Sequence, residues 1–171
     1  MNIVLKCGQD DVELTVERLE HANINPKTML ATDYLNHFNE MIMLIDMLDS
    51  MPQCADDILA WHPKGYRQHF RESVFAEKAL AITAYDRAPE TTRQVFEETI
   101  AKIDKILLDV QRTLRSPPPP HSQGARSALL CEELRPLMDR ASALINGTIC
   151  AQDLLPATHA QDTVDALFST P

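Results

Sequence analysis

Pro89-Glu90-Thr91-Thr92-Arg93-Gln94-Val95-Phe96-Glu97-Glu98-Thr99-Ile100-Ala101-Lys102-Ile103-Asp104-Lys105-Ile106-Leu107-Leu108-Asp109-Val110-Gln111-Arg112-Thr113-Leu114-Arg115 decides the fold class. Within it Phe96, Ile100, Ile103, Leu107, Val110 and Leu114 recur at intervals of 4, 3, 4, 3 and 4. That is a heptad seam, the spacing that keeps one face of a helix apolar. Proline is welcome at a first helical position, so Pro89 opens the segment and Arg115 ends it. At 1.5 Å per residue the helix is about 40 Å long.

A second seam follows. Leu130, Leu134, Leu137, Ala141 and Leu144 repeat the 4, 3, 4, 3 spacing over about residues 125–146, with Gly147 after the last turn. Pro136 lies inside this seam, where a missing N–H is expected to kink or split the helix. Between the seams stands Ser116-Pro117-Pro118-Pro119-Pro120-His121-Ser122-Gln123-Gly124, a polyproline spacer. Two seams joined this way predict a long antiparallel pair, closed within one chain or exchanged in a homodimer, the arrangement the seams favour.

Upstream, Asp10 and Asp11 are placed to cap a helix reaching about Asn23, with Val12, Val16 and Leu19 as its stripe. A wide apolar surface from Leu30 to Leu48 predicts a central helix ending near Ser50. Short helices are expected at 56–61 and 66–72, and one from Val74 to Arg87 behind Ser73 as cap. The expected architecture is all-α: about five or six helices, with residues 1–115 as a bundle ending in the long helix. A linker at 116–124, a packing helix at 125–147 and a flexible tail with a short amphipathic helix at 148–171 complete it.

Composition agrees. Of 171 residues 44% are apolar, only four are glycine and 5% are aromatic, which suits helices rather than a β-sandwich. The formal charge of −9 repels phosphate backbones and anionic bilayers, so nucleic acid and membrane are not expected partners. No apolar run reaches the length of a span, and the start of the chain is too short an apolar stretch for a signal peptide. Cys7, Cys54, Cys131 and Cys150 lie far apart with no Cys-x-x-Cys spacing, which favours reduced thiols and a cytoplasmic location. There is no Gly-x-Ser-x-Gly elbow or phosphate loop. No cofactor is implied.

One segment hints at a partner. In Ala160-Gln161-Asp162-Thr163-Val164-Asp165-Ala166-Leu167-Phe168, helical spacing puts Val164, Leu167 and Phe168 on one face, with Asp162 and Asp165 beside it. Leu154-Leu155-Pro156-Ala157-Thr158 separates it from the preceding pattern. The segment resembles the CheY-binding peptide of the CheZ family of chemotaxis phosphatases, roughly Ser-Gln-Asp-x-Val-Asp-Asp-Leu-Leu. It is also similar to the CheY-binding segment of the FliM flagellar switch family. The likeness covers about nine residues, following a helical hairpin and linker as in the CheZ family. It implies docking on a CheY-like receiver domain through Gln161, Asp162, Val164, Asp165, Leu167 and Phe168, with dephosphorylation as the associated activity. The blander alternative is a terminal helix packed on its own bundle.

The CheZ family works with Asp-x-x-x-Gln on a helix. Here Asp49-Ser50-Met51-Pro52-Gln53 has the spacing but contains Pro52, and Glu90-Thr91-Thr92-Arg93-Gln94 has Glu in place of Asp. Glu20-His21-Ala22-Asn23 matches only the four-letter Glu-x-x-Asn pattern of the CheC and CheX phosphatases. Glu90 and Gln94 are the catalytic candidates.

His-Phe-x-Glu occurs twice, at His37-Phe38-Asn39-Glu40 and His69-Phe70-Arg71-Glu72. Residues three apart share a helix face, so His37, Glu40, His69 and Glu72 form an alternative metal set. Di-iron bundles use the reverse order, Glu-x-x-His. The alternative functions are thus a metal-binding helical-bundle enzyme or a structural adaptor. The plainer account of the repeated motif is two helix turns with Phe38 and Phe70 buried.

Overall fold

The structure is a computed structural model that describes residues 14–115 and 123–154, with the backbone alone described over 123–131. Among the described residues are seven α-helices and no strand: α1 (Val16–His21), α2 (Asn36–Met47), α3 (Cys54–Ala60), α4 (Tyr66–Glu72), α5 (Lys78–Asp86), α6 (Glu90–Arg115) and α7 (Gln123–Ile145). The all-α expectation holds. No helix is long and apolar enough to cross a membrane among the described residues.

α6 is the axis. Phe96, Ile100, Ile103, Leu107 and Val110 are buried, as the heptad spacing requires, and Val95, Thr99, Gln111 and Thr113 widen the buried face. The extra width has a cause: α6 packs on α7 and also on α3 and on the 3-10 turn Ala151–Leu154. The second seam supplies Leu134, Ala141 and Leu144, with Met138 and Ile145 beside them. The chain between α6 and α7, residues 116–122, spans at most about 30 Å. Either helix is roughly 35–40 Å long. Packed along their lengths, the two therefore run antiparallel. The two seams meet within one chain. α7 is continuous through Pro136, which lies on its exposed side.

The N-terminal half departs from its expected boundaries. α1 starts only at Val16, capped by Thr15, whose Oγ1 accepts the Arg18 N–H at 3.3 Å. Val16 is 57% exposed, so of the expected stripe Leu19 alone is seen to enter the core; Val12 and the Asp10–Asp11 cap lie outside the described residues. The stretch from Leu30 to Leu48 is not one central helix. A 3-10 turn, Thr32–Leu35, precedes α2, and α2 buries a single line of Phe38, Met41 and Ile45 while Met43 is 54% exposed. Ser73 does not cap α5. Its Oγ accepts the Phe75 N–H in a local turn, and α5 begins five residues later.

Polar contacts hold the ends of the bundle. The Thr28 hydroxyl donates to the Ile145 carbonyl at 2.6 Å, a buried bond that ties the N-terminal loop to the end of α7. Asn25 Nδ2 donates to the Asn146 carbonyl at 3.1 Å, and its Oδ1 accepts the Lys27 and Thr28 N–H groups. Gly147 follows with φ +65°, the left-handed conformation that closes a helix C-terminus. Gln111 is buried on α6, and its Nε2 donates to the Ile58 and Trp61 carbonyls at 2.8 and 2.7 Å. Both lie at the C-terminus of α3, where the Ile58 carbonyl also accepts the Trp61 N–H at 3.3 Å and Trp61 turns extended before His62-Pro63.

Candidate functional site

The segment expected to bind a partner, Gln161 to Phe168, lies outside the described residues, as does the rest of the tail from residue 155. The catalytic candidates are described. Glu90 and Gln94 occupy the first turns of α6, both exposed and one turn apart on the same face. Gln94 Nε2 donates to Glu98 Oε1 at 3.2 Å. Asp49 and Gln53 do not share a helix: α2 has ended at Met47 and α3 starts at Cys54. Glu20 and Asn23 do not either, because Asn23 lies past α1 with φ +54°.

The repeated His-Phe-x-Glu motif behaves in two halves. Phe38 and Phe70 are fully buried, and the two imidazoles come together with ring centroids 5.8 Å apart. His37 also stacks on Trp61 at 4.9 Å and 25°, and His69 meets the edge of Tyr34 at 5.4 Å. The carboxylates go elsewhere. Glu40 is exposed, and Glu72 pairs with Lys64 at 2.8 Å and accepts from Gln68 at 2.9 Å. Among the described residues no three His, Cys, Asp or Glu side chains are placed to hold a metal ion. His37, Glu40, His69 and Glu72 are thus not assembled as a ligand set.

Burial governs the histidines. It lowers His37 to about 4, helped by the neighbouring His69 and Lys64, while a hydrogen bond with the His62 backbone and the charge of Glu72 act weakly the other way. His69 is lowered by burial first and Lys64 second. Both rings are neutral at pH 7. His37 Nε2 and Trp61 Nε1 are buried without a hydrogen-bond partner. The cluster is a packed aromatic joint between α2, α4 and the 61–65 loop, not an open site. Cys54, at the start of α3, is buried.

Sequence reasoning missed a cleft among the described residues. α4 packs on α5 and the 3-10 turn, whereas α6 packs on α7 and α3, and a gap of about 410 Å³ opens between α4 and α6. Gly65, Arg67, Gln68 and Arg71 line one side; Glu97, Ile100, Ala101 and Asp104 line the other. Tyr34, Tyr66, Tyr85 and Phe96 complete the lining. Spacing i, i+3, i+4, i+7 puts Glu97, Ile100, Ala101 and Asp104 on one face of α6.

Most polar groups there already have partners. Arg67 Nε bonds Asp86 at 2.6 Å, and its guanidinium lies over the Tyr85 ring at 5.0 Å. The Tyr85 hydroxyl donates to Glu97 Oε1, and the Tyr34 hydroxyl donates to the Lys64 carbonyl at 2.7 Å. Tyr66 Oη accepts the Ala31 N–H at 2.8 Å. Burial raises all three phenols above the ordinary tyrosine range, so they stay protonated. Asp104 is different. Its Oδ1 is buried with no partner, and burial pushes its carboxyl up to about 6.

No protein-family model matches this chain, and no curated protein or solved structure matches it either. Function therefore rests on the residues themselves.

Proposed function

We propose that this chain is a bacterial signalling accessory that docks on a CheY-like receiver domain through its C-terminal segment. The observation that carries the reading is the sequence Gln161-Asp162-Thr163-Val164-Asp165-Ala166-Leu167-Phe168, placed after a long helical pair and a proline-bearing spacer. An amphipathic helix of this kind binds by laying its apolar residues into a groove. Val164, Leu167 and Phe168 fill that groove, and Asp162 and Asp165 meet basic groups at its rim.

The fold supports this division of labour. The bundle's buried cluster runs from Leu19 to Ala151 and draws on α1 to α7. Glu90 and Gln94 stand exposed at the start of α6, where a bound receiver can be approached. A carboxamide there is chemically suited to orient a water for in-line attack on an aspartyl phosphate. To play that part Gln94 has to release Glu98.

The test is capture of a purified CheY-type receiver by the full chain and by the Leu167→Asp/Phe168→Asp variant. Retention by the full chain and loss in the variant is expected. Equal retention refutes docking through this segment. Receiver dephosphorylation measured beside Gln94→Ala then separates an active accessory from a simple adaptor.

A further inference from the structure

The α4–α6 cleft has its own chemistry, independent of the tail. We propose that it binds a small organic cation, a primary ammonium or guanidinium compound, whose charged nitrogen is held by the Asp104 carboxyl group.

Three observations lead there. First, Asp104 Oδ1 is an acceptor withdrawn from water and unmatched by any donor in the protein. Buried acceptors are normally satisfied; with Oδ1 closed to water, a donor from outside meets the Asp104 carboxylate where that residue lines the cleft. Second, four of the neighbouring donors are committed elsewhere, and the remaining two, the Arg71 guanidinium and the Tyr66 hydroxyl, make no bond to Asp104 Oδ1. The Tyr85 hydroxyl goes to Glu97, the Tyr34 hydroxyl to Lys64, Arg67 to Asp86 and Gln68 to Glu72. None of these four turns to Asp104 without breaking an existing bond. Third, the charges favour a cation. With Arg67 neutralised by Asp86, the lining retains Arg71 against Glu97 and Asp104. The chain as a whole carries −9, which draws cations toward it.

The space agrees. A gap of about 410 Å³ lies within the range of small-molecule sites. Its apolar part is Ile100, Ala101 and the aromatic side chains, which suit the methylene stem of an alkylamine. Nothing lies within 4 Å of the position a Cβ would take at Gly65, so the mouth is open on that side.

The experiment is a titration of the ¹⁵N-labelled full chain with agmatine, putrescine and benzylamine, followed through the backbone amides. Saturable shifts confined to Gly65, Gln68, Ala101, Asp104 and their neighbours are expected with at least one of the three. Asp104→Asn should weaken that binding by tenfold or more. Ala101→Trp fills the cleft and should abolish it without touching the carboxyl group, which guards against a variant that fails to fold. The proposal is overturned if none of the three amines gives saturable local shifts. It is equally overturned if shifts spread over the acidic surface and persist unchanged in both variants.

Discussion

The His37 imidazole lies stacked on the Trp61 indole, centroids 4.9 Å apart and planes 25° from parallel. The contact joins α2 to the loop after α3, and His69 closes it from α4. It needs His37 neutral, and burial keeps it so. A histidine whose folded value is depressed contributes stability that is complete above its unfolded value. That stability is lost as pH falls toward the folded value. The window here runs from about 6.5 down to about 4. Urea denaturation at pH 7.5 and 4.5 should show wild-type chain losing roughly 1–2 kcal/mol through this group, after discounting for solvent screening. His37→Phe should keep the stack and flatten that part of the pH dependence. An unchanged slope in His37→Phe would remove the claim.

Asp104 works in the opposite direction. Its folded value is raised to about 6, so between about 4 and 6 the folded state holds a proton that the unfolded state releases. Stability from this group falls as pH rises through that window. Asp104→Asn should therefore stabilise the protein at pH 7.5, by about 1 kcal/mol once solvent screening is allowed for. At pH 4 it should be close to neutral. A destabilised variant at both pH values would show that the carboxylate makes a bond inside the fold.

Gln111 replaces water at the end of α3. Its amide donates to the Ile58 and Trp61 carbonyls; Gln111→Leu leaves the Ile58 carbonyl with the Trp61 N–H alone and takes this donor from the Trp61 carbonyl. A loss of about 1–2 kcal/mol is expected from the Trp61 carbonyl left without its donor. Gln111→Glu should be worse, because it removes the donor and brings a charge. Melting curves of the two variants beside wild type decide this; equal stability of Leu and Gln would mean the Trp61 carbonyl finds another donor.

Thr28→Val keeps the shape at the junction of the N-terminal loop with α7 and deletes the bond to the Ile145 carbonyl. The expected loss is about 1–1.5 kcal/mol. Hydrogen exchange should quicken at the end of α7 and in the 25–31 loop first, since the two are tied at this point. Uniform quickening across α6 would instead indicate a general loss of packing.

The long helices were legible because their burial repeats along the chain. Six apolar residues at heptad spacing can hardly be arranged otherwise, and every one of them from Phe96 to Val110 is buried. Short helices were harder to place. Val16 and Val74 look like core residues in sequence, yet both are exposed, since packing of neighbouring helices and not hydropathy decides which apolar groups are covered. The pairing of His37 with His69 was visible as a repeated motif, but their real neighbour, Trp61, comes from a loop that periodicity does not describe. Asp104 was invisible. Set between Lys102 and Lys105, beside the seam residue Ile103, it reads as part of a solvated face. In the fold it faces the cleft between α4 and α6, with one carboxylate oxygen shielded from water.

The receiver reading stands or falls on one titration. A fluorescently labelled CheY-type receiver from the same organism, held in its activated form with beryllofluoride, is titrated with the full chain and with a chain lacking residues 157–171. Saturable binding by the full chain that disappears with the deletion is the expected result. Binding that survives the deletion unchanged, or no binding by either chain, contradicts it.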